Sequence, residues 1–346
     1  MSEMVRKKIE RRLRETGMPG ISWALVSRDG VVADAVGVAD RESGEPLSPQ
    51  HLLQACSISK FMAAIVTLLV AEQAGLDLDA DVNGYLRNWR VPTKAGWQPV
   101  TLRSLLCHQA GLEDPDGSFD SLRPGEATPA PLDILTVRTS LHSEPVRPRR
   151  APYTGFAYSD AGYCLVEQVL QDATGKEFGQ IAAEYLWLPL GIADCRFEQP
   201  LRCGGLGPSV AARGHGQNGS TLPRAEPVYP YLAAAGLWCT PMAYASMISE
   251  VLQALRGKGK LLSAELAGVL LAEPGVSNIC LGSFKSGGQG NCFIYGRGWG
   301  KGFQCEFRLW PEAAEGLVVM LNANPGVEQS RSLVGETAEL LSAELG

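Results

Sequence analysis

From Phe61 to Ala71 the chain runs eleven residues without a charged side chain. The helix predicted there ends at Ala74, before Gly75. A helix that is apolar on every face has no side to show to water, so other elements must enclose it. Eleven apolar residues fall short of the roughly 20 that a bilayer requires. The segment therefore predicts a core helix, and no membrane partner is expected. The rest of the chain can supply the enclosure: 346 residues, 45% hydrophobic and 20% charged, is the profile of a globular protein with ample core. With 31 Lys and Arg against 37 Asp and Glu, the net charge of −6 argues against a nucleic-acid partner, since phosphate binding needs a basic surface.

The two ends of the chain pattern alike. Residues 3–16 predict a charged amphipathic helix stopped by Gly17 and Pro19. Ile21–Ser27 and Val31–Val38 predict a hairpin turning at Arg28-Asp29-Gly30. After about residue 275, strands are expected at Asn278–Phe284, Asn291–Gly296, Phe303–Trp310 and Gly316–Asn322, then a helix from about Glu328 to Leu345. Between them lie helical stretches and Pro/Gly-rich loops, most irregular over 113–155, with a clear helix start at Thr240-Pro241. The expectation is an α/β fold of the α+β kind in one domain, residues 1–346. An antiparallel sheet comes from both chain ends (1–55 and about 275–346) and is flanked by the terminal helices. A large, mainly helical region (about 56–274) is inserted.

The first ten residues are charged and lack an apolar core, so no secretory signal is expected. Nine cysteines are scattered without any Cys-x-x-Cys, which predicts reduced thiols and a cytoplasmic location. The four histidines are isolated, so a zinc site is not expected. Residues 77–84 imitate a calcium loop, but Val82 stands where the loop needs Gly and Asn88 where it needs Glu. No cofactor is therefore expected.

Ser57-Ile58-Ser59-Lys60 opens the apolar helix and is the one Ser-x-x-Lys in the chain. Helical residues three apart share a face, so Lys60 points back toward Ser57. Desolvation would lower the lysine's pKa and let it accept the serine proton. The competing account is a capping serine and a snorkelling lysine. Tyr158-Ser159-Asp160 offers a phenol to protonate a leaving group or relay the proton. The alternative is a core tyrosine beside an Asp that caps a helix over about Gly162–Ala173. Gly296-Arg297-Gly298-Trp299-Gly300-Lys301-Gly302-Phe303 is a glycine-dense strand connection whose amides could donate to an oxyanion, or a twisted hairpin. Lys285-Ser286-Gly287 is set aside because it falls in a predicted loop.

In that order, Ser57-x-x-Lys60, Tyr158-x-Asp160 and the glycine-rich third element resemble the serine β-lactamase and penicillin-binding protein superfamily. The likeness is nearest to class C β-lactamases and the esterases of that group. It extends from Met18-Pro19-Gly20 to Asn322. It includes Leu76-Asp77-Leu78-Asp79, Leu105–Leu112 around His108, Pro189-Leu190-Gly191-Ile192 and Ala235-Gly236-Leu237-Trp238. The resemblance implies a β-lactamase/transpeptidase-like fold and no metal. Ser57 is then the nucleophile, Lys60 and Tyr158 manage the proton, and the N–H groups of Ser57 and Trp299, beside Gly298, form the oxyanion hole. His108 is a landmark and not a base. Two departures stand out. Asp160 replaces the family's Asn and adds negative charge to the substrate pocket. Gly296-Arg297-Gly298 replaces Lys-Thr-Gly or His-x-Gly, leaving Arg297 as the candidate substitute for the lost cation. The implied activity is serine hydrolysis through an acyl-enzyme, foremost of a small or natural-product ester. A D-amino-acid peptidase or amidase and an acyltransferase share that intermediate. A non-catalytic ligand-binding homologue is the alternative from another class. The partner expected is a small-molecule ester or amide; the oligomeric state is not legible in the sequence.

Overall fold

The structure is a computed structural model and describes residues 2–123, 125–137, 139–201, 210–223, 227–287 and 292–345. The first helix, Glu3–Thr16, is capped by Ser2 and ends at left-handed Gly17, and it buries Val5, Ile9 and Leu13 on one stripe. Next come β1 (Gly20–Ser27), β2 (Gly30–Asp40), β3 (Glu45–Pro46) and β4 (Leu53–Gln54). The central region contributes β5 (Cys195–Phe197) and β6 (Leu237–Cys239). The C-terminal part supplies β7 (Ile279–Cys280), β8 (Ser283–Ser286), β9 (Phe293–Gly300), β10 (Phe303–Trp310) and β11 (Glu315–Leu321).

Eight strands form one sheet in the order β3-β2-β1-β11-β10-β9-β8-β7. The chain ends meet where β1 pairs with β11, from Ile21 opposite Leu321 to Val26 opposite Gly316. Alternate residues on these strands face opposite sides. Trp23, Leu25, Leu317 and Val319 face one way and pack with Val5, Ile9 and Leu13 and with Val334, Ala338 and Leu341 of the C-terminal helix, Leu333–Leu345. Ala24, Val26, Val318 and Met320 face the other way, into the larger core under the inserted region. Each fully buried Leu, Val or Phe in such a core contributes roughly 1.5–3 kcal/mol.

At the centre of that larger core lies the helix Ser59–Ala74, with every residue from Ser59 to Ala71 buried. With its 3-10 lead-in the stretch is 19 residues of mean hydropathy 1.4, long and apolar enough by itself to cross a bilayer. It is instead enclosed by protein, with Phe61 against Phe307 of β10 at 4.7 Å between ring centroids.

Several local expectations are corrected. Leu53–Gln54, Cys195–Phe197 and Leu237–Cys239 make a second sheet, β4-β6-β5, whose two- and three-residue strands are too short to show periodicity. The segment predicted as one strand over 278–284 breaks at Gly282 (φ 69°) into β7 and β8. Lys285 and Ser286 lie in β8 and not in a loop. The glycine-dense segment is mostly strand: β9 runs through Gly300 and turns only at Lys301-Gly302 (φ 82°). Asn291, the expected start of that strand, lies outside the described residues. The helix expected from about Gly162 begins at Asp160, and its cap is Ser159.

Candidate active site

Ser57 sits where a strand is forced into a helix. The Ala55 N–H donates to the Leu237 carbonyl at 2.9 Å. Cys56 then adopts φ 47°, which non-glycine residues rarely hold, and a 3-10 turn over Cys56–Ile58 leads into the long helix. The turn is pinned from β6 by the Leu237 N–H donating to Ser59 Oγ (3.1 Å), and from the helix Pro241–Ala254 by Tyr244 donating to the Ile58 carbonyl (3.0 Å). From His51 to Ala71 every residue is buried except Ser57. The turn thus presents one hydroxyl. At such a helix start the first N–H groups have no intrahelical acceptor, and that of Ser57 is among them.

Lys60, one turn on, is buried and its ammonium meets three acceptors: Ser57 Oγ at 3.2 Å, the Ala234 carbonyl at 2.9 Å and Asp160 Oδ1 at 2.6 Å. The first two are hydrogen bonds and the third is an ion-pair contact. Burial alone would lower its pKa, but the charge of Asp160 and the contacts of Asp160 and Tyr158 outweigh burial and hold it above the ordinary lysine value. Against the expectation that burial makes this lysine neutral, the Asp160 carboxylate beside it favours the charged form. Asp160 is likewise corrected from a free negative charge to the partner of that cation.

Lys60 Nζ lies 4.8 Å from the centre of the Tyr158 ring, and the phenol interacts with both Lys60 and Ser57. Burial raises its pKa and the ammonium pulls it back down. The side chain stays 40% exposed, so burial counts for less here than at an enclosed phenol. His108 is stacked on the Tyr158 ring at 4.4 Å, and its Nδ1 accepts the Ser159 N–H at 3.1 Å. Burial and the nearby Lys60 charge push His108 well below its ordinary pKa, so it is a neutral support. Asp114 had no signal in the sequence, since its partners lie some 45 residues on. It accepts from Ser159 Oγ (2.8 Å) and from the N–H of Asp160 (2.5 Å) and Ala161, fixing the start of the helix Asp160–Thr174. Burial, and then the Asp160 charge, raise Asp114 to about 6.

Strand β9 passes close beside the nucleophile turn. A Cβ on Gly298 would lie 2.5 Å from the Ala55 carbonyl oxygen and 3.1 Å from Cys56 Cβ, and one on Gly300 would lie 2.8 Å from Cys56 Sγ. Only glycine permits this approach. Strand β8 pairs with β9 no further than Tyr295, so among the described residues the outer edge of β9 at Gly298-Trp299 carries no strand partner. A cavity of about 630 Å³ opens next to Gly300, lined by Trp299, Lys301, Tyr229, Asn324 and the 117–123 loop. Trp299 is 43% exposed and donates from Nε1 to Asn324 Oδ1 at 2.8 Å. Among the described residues no cluster of His, Cys, Asp and Glu could hold a metal ion.

A sequence model of the family described as Beta-lactamase matches residues 5–340. The chain belongs to the β-lactamase family. Among its relatives is the esterase EstB of Burkholderia gladioli, 30% identical over 54% of this chain; the chain spans about half, 49%, of that protein's length. The fold is shared with the octameric penicillin-binding protein homologue of Pyrococcus abyssi (TM-score 0.79, 20% identity, 98% of this chain and 77% of that one). It is shared also with the D-amino acid amidase of Ochrobactrum anthropi (TM-score 0.77, 20% identity, 99% of each chain).

Against the β-lactamase pattern, the third motif lacks its cation for a steric reason. A Cβ at Gly296 would lie 2.4 Å from the ring of Phe307, directly across on β10, and that ring is part of the core under the nucleophile helix. Arg297 does not replace the cation. Side chains alternate along a strand, so Arg297 projects from the face opposite to Gly296 and Gly298. There its Nε pairs with Glu306 at 2.9 Å, and Glu306 also pairs with Arg308 at 2.6 Å.

Proposed function

We propose that the chain is a serine hydrolase that forms an acyl-enzyme on Ser57 and acts on a small or natural-product ester. The observation that carries this is a half-buried serine that accepts from a buried, ion-paired ammonium, with a phenol interacting with both. Ser57 Oγ attacks the carbonyl while its proton passes to Tyr158 in its phenolate form, which the charge of the Lys60 ammonium stabilises. Lys60, held beside both oxygens, orients them for that transfer. The N–H groups of Ser57 and Trp299 receive the oxyanion. Tyr158 then returns the proton to the leaving alcohol, and water releases the acid.

The ester preference rests on charge. A β-lactam places a carboxylate beside its reactive carbonyl, which calls for a cation on β9. Here Gly296 lies against Phe307 and Arg297 is committed to Glu306. A neutral ester needs neither contact. A cytoplasmic setting is supported by eight free cysteines among the described residues, including Cys195 and Cys239 directly opposite each other on β5 and β6. The test compares kcat/KM for p-nitrophenyl butyrate and nitrocefin on one preparation. The ester should be far better; nitrocefin turnover equal to it would overturn the proposal.

A further inference from the structure

Away from Ser57, the helix Phe178–Ala182 widens into a π-turn over Ala183–Trp187 before Leu188–Leu190. Such turns recur at functional sites because the extra residue rotates side chains out of the helical register. Here Trp187 stacks on Phe197 of β5, with ring planes 28° apart and centroids 6.2 Å apart. Between the turn and β5 lies a recess of about 380 Å³, walled by Ala183, Trp187, Leu188, Ile192, Ala193 and Arg196. It shares no lining residue with the cavity beside Gly300. This volume suits a small ligand.

Two polar features mark the recess. Arg196 is its one charged lining residue; its backbone pairs with Trp238 of β6, and its guanidinium makes no ion pair or hydrogen bond among the described residues. No acidic side chain lines the recess; the neighbouring Asp194 belongs to the adjoining groove with Thr240 and Met242. The second feature is Trp187, 3% exposed, whose indole Nε1 has no acceptor. Apolar walls with one unpaired guanidinium at the edge suit an amphipathic anion, and guanidinium geometry matches a carboxylate in particular. Leu188 stands 69% exposed at the rim, an apolar surface that an aliphatic tail would cover.

We propose that this recess is a second binding site, taking a small carboxylic acid with an aliphatic tail whose carboxylate pairs with Arg196. The test is calorimetric titration of the full-length chain with sodium octanoate, 1-octanol and octylammonium. Two surface variants, Arg196→Gln and Leu188→Asp, are titrated alongside, and both leave the Ser57 site untouched. Saturable one-to-one binding of octanoate is expected, weaker binding of the alcohol and none of the cation. Arg196→Gln should weaken octanoate tenfold or more and spare the alcohol, whereas Leu188→Asp should weaken octanoate by at least as much. No saturable octanoate binding by the wild type would overturn the proposal. So would octanoate affinity unchanged in both variants, which would place any bound acid in the catalytic cleft, or a preference for octylammonium.

Discussion

At the residue scale the site is organised around the buried charge of Lys60. Its ammonium donates to Ser57 Oγ and the Ala234 carbonyl and is ion-paired with Asp160, so it supplies charge and position beside Tyr158. Tyr158→Phe and Lys60→Ala should each lower the acylation rate about 10²-fold or more, as loss of positioned proton transfer does. Single-turnover kinetics with p-nitrophenyl butyrate measure this, and near-normal acylation in Tyr158→Phe would return the tyrosine to a packing role. Asp160→Asn separates charge from shape. With the carboxylate gone, burial acts unopposed and draws the Lys60 pKa down. The variant's kcat/KM should then fall on the alkaline side at lower pH than the wild type's. An unchanged pH profile would show that Asp160 does not hold the charge. The Ser-x-x-Lys and Tyr-x-Asp spacings made these four side chains legible in the sequence. What they do to one another was not, because the sense of a buried lysine's shift depends on a carboxylate a hundred residues away.

At the scale of elements, the site is the seam between the 3-10 turn at Ser57 and the edge of β9. The seam depends on Gly298, where a Cβ would press on the Ala55 carbonyl at 2.5 Å. Gly298→Ala should push the strand from the nucleophile and reduce kcat about 10- to 100-fold, the scale of an ångström's misplacement, with the protein still folded. A circular dichroism melt beside the assay checks both halves, and full activity would mean that the seam is not as close as it looks. The long elements were legible because their patterns repeat: the hairpin about Gly30, the buried helix ended at Gly75 and the cap at Thr240 all form as expected. The glycine-dense segment misled because glycines usually mark turns. In β9 they mark close approach instead, to Phe307, the Ala55 carbonyl, the Cys56 side chain and Tyr229.

At the scale of the whole molecule, buried ionisable groups set how stability follows pH. Glu167, enclosed in the helix Asp160–Thr174 and accepting the Ala233 N–H at 3.0 Å, is raised by burial from 4.5 to about 8. A carboxyl raised by folding stabilises fully below its unfolded pKa, and that contribution is lost as pH rises through the folded value. The depressed His108, His142 and His215 act the other way, costing stability as pH falls below 6.5. Above 6.5 the glutamate dominates. Tm should therefore fall between pH 6.5 and 8, and Glu167→Gln should flatten that fall; equal slopes in the two proteins would contradict the assignment. No sequence pattern singles out Glu167, since its burial comes from packing across the core. The account as a whole is tested most directly by intact mass after fluorophosphonate treatment. It predicts one phosphonyl adduct per chain, mapped to the peptide carrying Ser57 and absent from Ser57→Ala. An unlabelled wild type, or a label that persists in Ser57→Ala, would contradict it.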